Sequence, residues 1–174
     1  MTISAGGALS LGSAGINCSS ATQSLTIDAP VSLDANQTWT TATGRTITVS
    51  GVFSNNNKVF TAAGAGTLIL GNGSHSGAFN LNKIDAGTLK LGSGAGSFSM
   101  AMTAGSLIDV TAGSLINETG AANSWTFNLS SLNVAAGATF DVGDSTVIVD
   151  ALTGAGTVQK SKRTYLFCLT CRCP

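Results

Sequence analysis

Residues 64 to 92 read GAGTLILGNGSHSGAFNLNKIDAGTLKLG and contain one strand motif twice. The copies are Leu68-Ile69-Leu70 and Leu89-Lys90-Leu91, and Gly-Thr precedes each of them. Successive side chains of a strand point to opposite faces, so the two Leu residues of a copy share one face and the middle residue takes the other. Such a strand cannot bury its apolar face alone, whereas copies stacked about 4.8 Å apart bury a continuous column. The motif therefore predicts a stack of β-rungs.

Strands of the same kind lie on both sides of this stretch. They are Leu25-Thr26-Ile27, Ile47-Thr48-Val49, Ile108-Asp109-Val110 and Phe140-Asp141-Val142. The six strands are separated by 22, 21, 21, 19 and 32 positions, and we expect the long interval to hold further strands at Leu115-Ile116 and in residues 125–129. The middle residues Lys90, Asp109 and Asp141 are expected to occupy matching positions in their strands and to point outward. The spacing predicts an all-β protein, a parallel β-helix of roughly seven rungs of about 21 residues.

A glycine precedes most of these strands: Gly44, Gly66, Gly87, Gly105, Gly137 and Gly156. Because glycine tolerates positive φ, we expect it to form the same corner in each rung. A β-sandwich also has short strands and frequent turns, but its strands usually follow one another every ~8–12 residues without a longer repeat. The repeated corner glycine favours the β-helix over the sandwich.

The charge distribution divides the chain in two. Charged residues make up only 9% of the sequence, and residues 1–159 hold eight acidic and four basic side chains, a formal charge of −4. Nucleic acid binding needs clustered cations, so this body is not expected to bind it. Residues 160–174 hold the other four bases and three of the four cysteines. We expect residues 1–159 to form the solenoid and residues 160–174 to be a basic, Cys-rich tail outside it.

Residues 36–92 resemble the autotransporter-associated β-strand repeat, also called the passenger-associated transport repeat. The matching features are a G-x-G-T-L-x-L strand at residues 64–70, a turn with Asn72, the pair Ser76-Gly77 and a second G-T-L-x-L strand at residues 87–91. Residues 134–143 and 152–158 are similar to the same kind of passenger sequence. The resemblance implies a right-handed parallel β-helix in an exported bacterial protein. The chain departs from the family where an aromatic residue often follows the turn Asn, because it has Gly73-Ser74-His75 there.

Several residues are candidates for catalysis. A glycoside hydrolase needs two carboxyl groups about 5–9.5 Å apart on one groove, and Asp109, Asp141 and Asp144 are the candidates. No basic or aromatic cluster accompanies them in the sequence. The stretch Gly143-Asp144-Ser145 resembles the start of an esterase block, but the only histidine, His75, lies far upstream of it. We expect His75 in a surface turn. The sequence predicts no catalytic, cofactor-binding or metal-ligating residue and no cofactor.

The cysteines suggest zinc as an alternative. Cys168, Cys171 and Cys173 have the C-x-x-C-x-C spacing, but a structural zinc site requires four ligands. The fourth ligand would have to be Cys18 or His75. Because Cys18 is the only cysteine of the body, no disulfide framework is expected there.

The function predicted from these features is a non-catalytic stalk segment of an exported bacterial surface protein. Adhesion to carbohydrate or protein on a host surface or matrix is a candidate role. No apolar run approaches the ~20 residues of a membrane span, and no signal peptide is recognisable in the first residues. From the resemblance, the chain is expected to continue into a longer passenger and a translocator barrel, and to be secreted or displayed at the cell surface. The alternatives are a polysaccharide-acting β-helix enzyme and a segment of a phage fibre or tailspike.

Overall fold

The chain folds into short parallel strands. A computed structural model describes residues 1–93, 96–118, 124–143, 145–161 and 170–171. No helix occurs in these ranges, and so none that could cross a membrane. The strands described are, in chain order, β1 (Thr2–Ile3), β2 (Leu9–Leu11), β3 (Ile16–Cys18), β4 (Leu25–Ile27), β5 (Val31–Leu33), β6 (Gln37–Thr41), β7 (Thr46–Ser54), β8 (Phe60–Gly64), β9 (Thr67–Gly77), β10 (Asn80–Lys83), β11 (Thr88–Leu91), β12 (Phe98–Met102), β13 (Leu107–Val110), β14 (Ser114–Asn117), β15 (Ser131–Val134), β16 (Thr139–Asp141), β17 (Ile148–Val149), β18 (Leu152–Thr153), β19 (Thr157–Gln159) and β20 (Thr170–Cys171).

The strands stack into three parallel sheets around one interior. Sheet A has the order β1-β4-β7-β9-β11-β14-β16-β19, and sheet C has the order β18-β15-β13-β10-β8-β6-β3. Between them, sheet B contains β2, β5, the second halves of β7 and β9, and β12, followed by two isolated bridges and the parallel pair of β17 with β20. The chain visits A, then B, then C in each rung. The predicted parallel β-helix is confirmed, and the number of turns is close to the seven predicted.

The register confirms part of the predicted repeat and corrects the rest. Leu25, Ile47, Leu68 and Leu89 are direct neighbours in sheet A, as expected. The next member of this column is Leu115, followed by Phe140. The strand at Ile108 instead lies in sheet C, where it pairs with β10 and β15. Both sheets bury alternate side chains, so their strands carry the same apolar-x-apolar pattern and the pattern alone cannot assign the sheet.

The interior of the stack is a continuous apolar core. Aromatic residues form part of this core: Trp39 packs edge-on against Phe53 and Phe60, with ring centroids 5.6 and 5.1 Å away. Further along the stack, Trp125 packs against Phe140 at 5.6 Å. Each rung buries its apolar side chains against the rungs before and after it, so the stability of every rung depends on its neighbours.

The glycines at the corners have two different roles. Some have positive φ, as predicted for a tight corner: Gly44 (69°), Gly105 (84°) and Gly137 (82°). Gly66, Gly87 and Gly156 do not have positive φ, so the predicted reason was wrong for them. They allow backbones to approach, and the Thr88 N–H donates to the Gly66 carbonyl in the rung below. A side chain at Gly87 would overlap the carbonyl oxygen of Gly66.

Part of the predicted tail contacts the body. The strand Thr170–Cys171 pairs in parallel with Ile148–Val149. Residues 162–169 and 172–174 lie outside the described residues, so the boundary between residues 159 and 160 stays a prediction. The expected strand in residues 125–129 is reduced to one bridge, between Trp125 and Val147.

Candidate functional site

Two of the three candidate carboxylates, Asp109 and Asp141, lie on different sheets. Asp109 is in β13 of sheet C, and its carboxylate accepts a hydrogen bond of 2.7 Å from the Asn133 side chain. Asp141 is in β16 of sheet A, beside Ile116. The expectation that they occupy matching positions was therefore wrong, because the Ile108 strand belongs to sheet C. Asp144 lies outside the described residues.

Asp141 is buried, with 4% of its surface exposed, although it was expected to point into solvent. Its carboxylate accepts hydrogen bonds from the N–H groups of Gly143 (3.0 Å) and Ser161 (3.2 Å) and from the Gln159 side chain (3.3 Å). Burial acts to raise the pKa of Asp141, but the hydrogen bonds from Ser161, Gly143 and Gln159 outweigh burial and lower it. These bonds tie the end of β16 to the segment after β19. Asp141 thus has a structural role.

The outward side chains of sheet C form a polar ladder of hydroxyl and amide groups around the Asp109 carboxylate. Asn82 donates to the Thr61 hydroxyl at 3.2 Å, and Thr153 donates to the Asn133 side-chain carbonyl at 3.2 Å. At the start of the ladder is a shallow depression of about 280 Å³, lined by Ser13, Ala14, Asn36, Gln37, Thr38, Val59 and Thr61. None of these lining residues is charged. The Gln37 amide is buried and already hydrogen-bonded, so it is the hydroxyl groups of Ser13, Thr38 and Thr61 that suit a neutral polar ligand.

A buried lysine occupies the interior of sheet C. Lys83 is 2% exposed, and its neighbours in the sheet are Ala62 and Val110. Its ammonium donates to the carbonyls of Ile84 (2.5 Å), Asp85 (2.8 Å) and Ala112 (3.2 Å). Burial lowers the pKa of Lys83 to about 8, and the Asp85 carboxylate opposes that shift. The charged amine therefore ties the corner after β10 to the corner of the next rung.

Replacing Lys83 tests whether its hydrogen bonds hold the corner after β10 to the corner of the next rung. Lys83→Met keeps the length of the side chain but leaves three carbonyl oxygens without their donor. We expect a loss of about 2 kcal/mol in the free energy of unfolding, since unpaired buried acceptors are costly and removal of the buried charge offsets only part of this. The matched control is Lys90→Met, because Lys90 lies on the outer face in an ion pair of 3.0 Å with Glu118. Such pairs contribute below about 1 kcal/mol. Equal losses in urea unfolding of the two variants would contradict the role of Lys83.

His75 is also buried, against the expectation of a surface turn. It is 2% exposed, because β9 continues without a turn from sheet A into sheet B, through Gly71 to Gly77, and directs the imidazole inward. The Nδ1 atom lies 2.8 Å from Oδ1 of Asn55. The Nε2 atom is buried without a hydrogen-bond partner.

The sequence carries no local signal for this burial. Leu70 and Gly71 are both buried, so the alternation of β9 shifts by one residue at this point. Strict alternation counted from Leu70 would place His75 on the outer face, and the glycines on both sides of it suggested a turn. The shift belongs to the bend between sheets A and B, which the sequence pattern did not reveal.

Metal ligands do not converge in the part of the chain that the structure describes. No group of three or more His, Cys, Asp or Glu residues there could hold a metal ion. Cys18 is a half-buried free thiol at the end of β3. Cys168 and Cys173, two of the three tail cysteines of the zinc alternative, lie outside the described residues.

Comparison with known proteins adds no relative to this picture. No family model, no curated protein and no solved structure matches the chain. The resemblance of residues 36–92 to the autotransporter repeat therefore stays a prediction that rests on the motif residues.

Proposed function

We propose that this chain is a non-catalytic structural segment, a stalk, of an exported bacterial surface protein. The observation that supports this most is the continuous stack of parallel rungs, with sheet A running through eight strands from β1 to β19. At about 4.8 Å per rung, such a stack extends some 30 Å or more along its axis. A solenoid with an apolar interior suits a spacer, because each rung is held only by its neighbours and length is gained by adding rungs.

The outer surface is consistent with this role. The sheet C ladder consists of hydroxyl and amide side chains around Asp109, bonded to one another along the axis of the stack. Such a surface presents little charge and suits contact with carbohydrate or protein on a host surface or matrix. The separation of Asp109 and Asp141 on two sheets disfavours the paired-carboxylate chemistry of the alternative, a polysaccharide-acting enzyme.

Surface display tests the proposal. The chain, with an N-terminal epitope, replaces the passenger of a bacterial surface-display carrier. We expect the epitope to be accessible to antibody on intact cells and the solenoid body to resist added protease, because its backbone is paired on both sides. A Gly87→Val chain, in which the rungs cannot stack, is expected to be degraded, whereas Gly12→Val is the matched control in open space.

Two results would contradict the stalk. One is a wild-type chain that reaches the surface but is cleaved as readily as an unfolded linker. The other is cleavage of a polysaccharide by the purified chain that disappears in Asp109→Ala. A stable trimer in sedimentation would instead favour the fibre or tailspike alternative.

A further inference from the structure

The only histidine of the chain, in β9, lies inside the stack among apolar side chains of its own and the adjacent rungs. His75 stacks on Phe98 with ring centroids 4.5 Å apart, and Phe53 and Phe79 lie 5.5 and 6.1 Å away. A cavity of about 10 Å³ adjoins the ring and is lined also by Leu70, Leu81 and Met100. That volume accommodates at most about one water molecule. The imidazole is therefore almost completely removed from solvent.

The hydrogen bonds around Asn55 define the tautomer of the imidazole. The Asn55 amide nitrogen donates to the Lys58 carbonyl at 3.3 Å, so its Oδ1 is the atom that faces His75. An oxygen accepts, and Nδ1 of His75 must therefore carry the proton. Nε2 is then a bare acceptor beside Gly73, where a Cβ would lie only 2.6 Å from it. Among the described residues, a second proton on Nε2 would have no acceptor within hydrogen-bond distance.

No carboxylate of the described strands faces the ring to compensate a positive charge. The strands packed against it, β7, β8, β9 and β12, carry no titratable side chain other than His75 itself. The remaining neighbour, β10, carries Lys83, whose ammonium is bound to carbonyls at the corner after that strand. Lys58, in the turn between β7 and β8, contributes only its backbone carbonyl. The face of Phe98 attracts a cation but replaces little of the lost hydration.

We propose that His75 is an acid-sensitive latch in the middle of the solenoid. At neutral pH the uncharged imidazole joins the β7 rung to the β9 rung through Asn55, and its protonation in mild acid opens the stack at this place. The inference does not depend on the proposed stalk function, since it concerns only how the rungs hold together.

The direction of the pH effect follows from proton binding in the two states. Burial lowers the pKa of His75 to about 4, whereas an unfolded chain binds the proton near its ordinary value of 6.5. The stabilisation is complete above about pH 6.5 and falls as the pH drops towards 4, because the open state binds the proton more tightly. The equilibrium constant for opening therefore rises about tenfold per pH unit, or roughly 300-fold over the whole window.

Two measurements on the full chain test the latch. In the unaltered protein, nitrogen NMR of the imidazole is expected to show a proton on Nδ1 alone down to about pH 5. Hydrogen exchange between about pH 7 and 4.5, corrected for the intrinsic rates, is expected to show the opening constant of β7, β9 and β12 rising by about two orders of magnitude. In His75→Gln, which keeps an amide next to Asn55, that rise is expected to disappear.

Each outcome of these measurements either supports or overturns the proposal. Titration of His75 near its ordinary pKa in the folded chain would overturn the proposal without any variant. Exchange in β7 and β9 that does not change with pH would also overturn it, as would an acid-dependent rise of the same size in His75→Gln. Loss of the rise in the variant, together with a low imidazole pKa in the wild type, would support it.

Discussion

Gly87→Val is expected to lower the free energy of unfolding by about 3 kcal/mol or more, because there is no space for a side chain between these two rungs. A Cβ at this position would lie 2.5 Å from the Gly64 carbonyl oxygen and closer still to that of Gly66. These are backbone atoms, held by the bonds from Gly87 N–H to Gly64 O (3.0 Å) and from Thr88 N–H to Gly66 O (2.9 Å). The overlap is relieved only if the two rungs move apart. Overpacking of this kind costs about 1–3 kcal/mol, and the loss of those hydrogen bonds adds to that cost.

Urea unfolding followed by circular dichroism measures this effect. The matched control is Gly12→Val, since a Cβ at Gly12 meets no atom within 4 Å and Gly12 does not have positive φ. A change within about 0.5 kcal/mol is expected for the control. If Gly87→Val were as stable as Gly12→Val, the rungs at residues 64–67 and 85–88 would not be stacked as described.

Trp39→Ala is expected to cost about 3–5 kcal/mol, the usual range for removing a large aromatic side chain from a core. Trp39 is 0% exposed and joins the aromatic cluster with Phe53 and Phe60. Its indole N–H also donates to the Gln37 side chain at 2.7 Å. Truncation leaves a cavity inside the stack and leaves Gln37 without its donor.

Phe127→Ala is the control for this truncation. Phe127 is 81% exposed, so it contributes little buried area and its loss is expected to change stability by less than about 0.5 kcal/mol. Thermal or urea unfolding of the two variants should therefore differ strongly. Similar losses of stability in the two variants would mean that Trp39 does not lie in the core of the stack.

The sheet A strands could be predicted from the sequence because their signal is local. The pattern Gly-Thr-Leu-x-Leu alternates with period two, and its copies at Leu68 and Leu89 lie one rung apart. The prediction of the repeat failed at Ile108. The strand there belongs to sheet C, but it shows the same alternation, and its distance of 19 positions from Leu89 happens to be close to the length of one rung. Two strands of different sheets differ in what they pair with, and pairing partners are not visible in a local pattern.

The buried polar residues could not be predicted for a related reason. Lys83, Asp141 and His75 are stabilised by groups 29, 20 and 20 positions away, namely the Ala112 carbonyl, the Ser161 N–H and the Asn55 side chain. A charged or polar residue is normally assigned to the outer face unless such partners are known. Only the register between rungs brings the partners together, and hence only the three-dimensional structure identifies these residues as buried.

Spin-label distances measure whether successive strands of sheet A stack in register along one axis. The labels are placed at Thr26→Cys with either Ile116→Cys or Gln159→Cys, in a chain whose four natural cysteines are replaced by serine. Thr26 is four rung steps from Ile116 and six from Gln159. At about 4.8 Å per step, we expect distances of about 19 and 29 Å by double electron–electron resonance. Two equal distances, or a shorter one for Gln159, would contradict the solenoid.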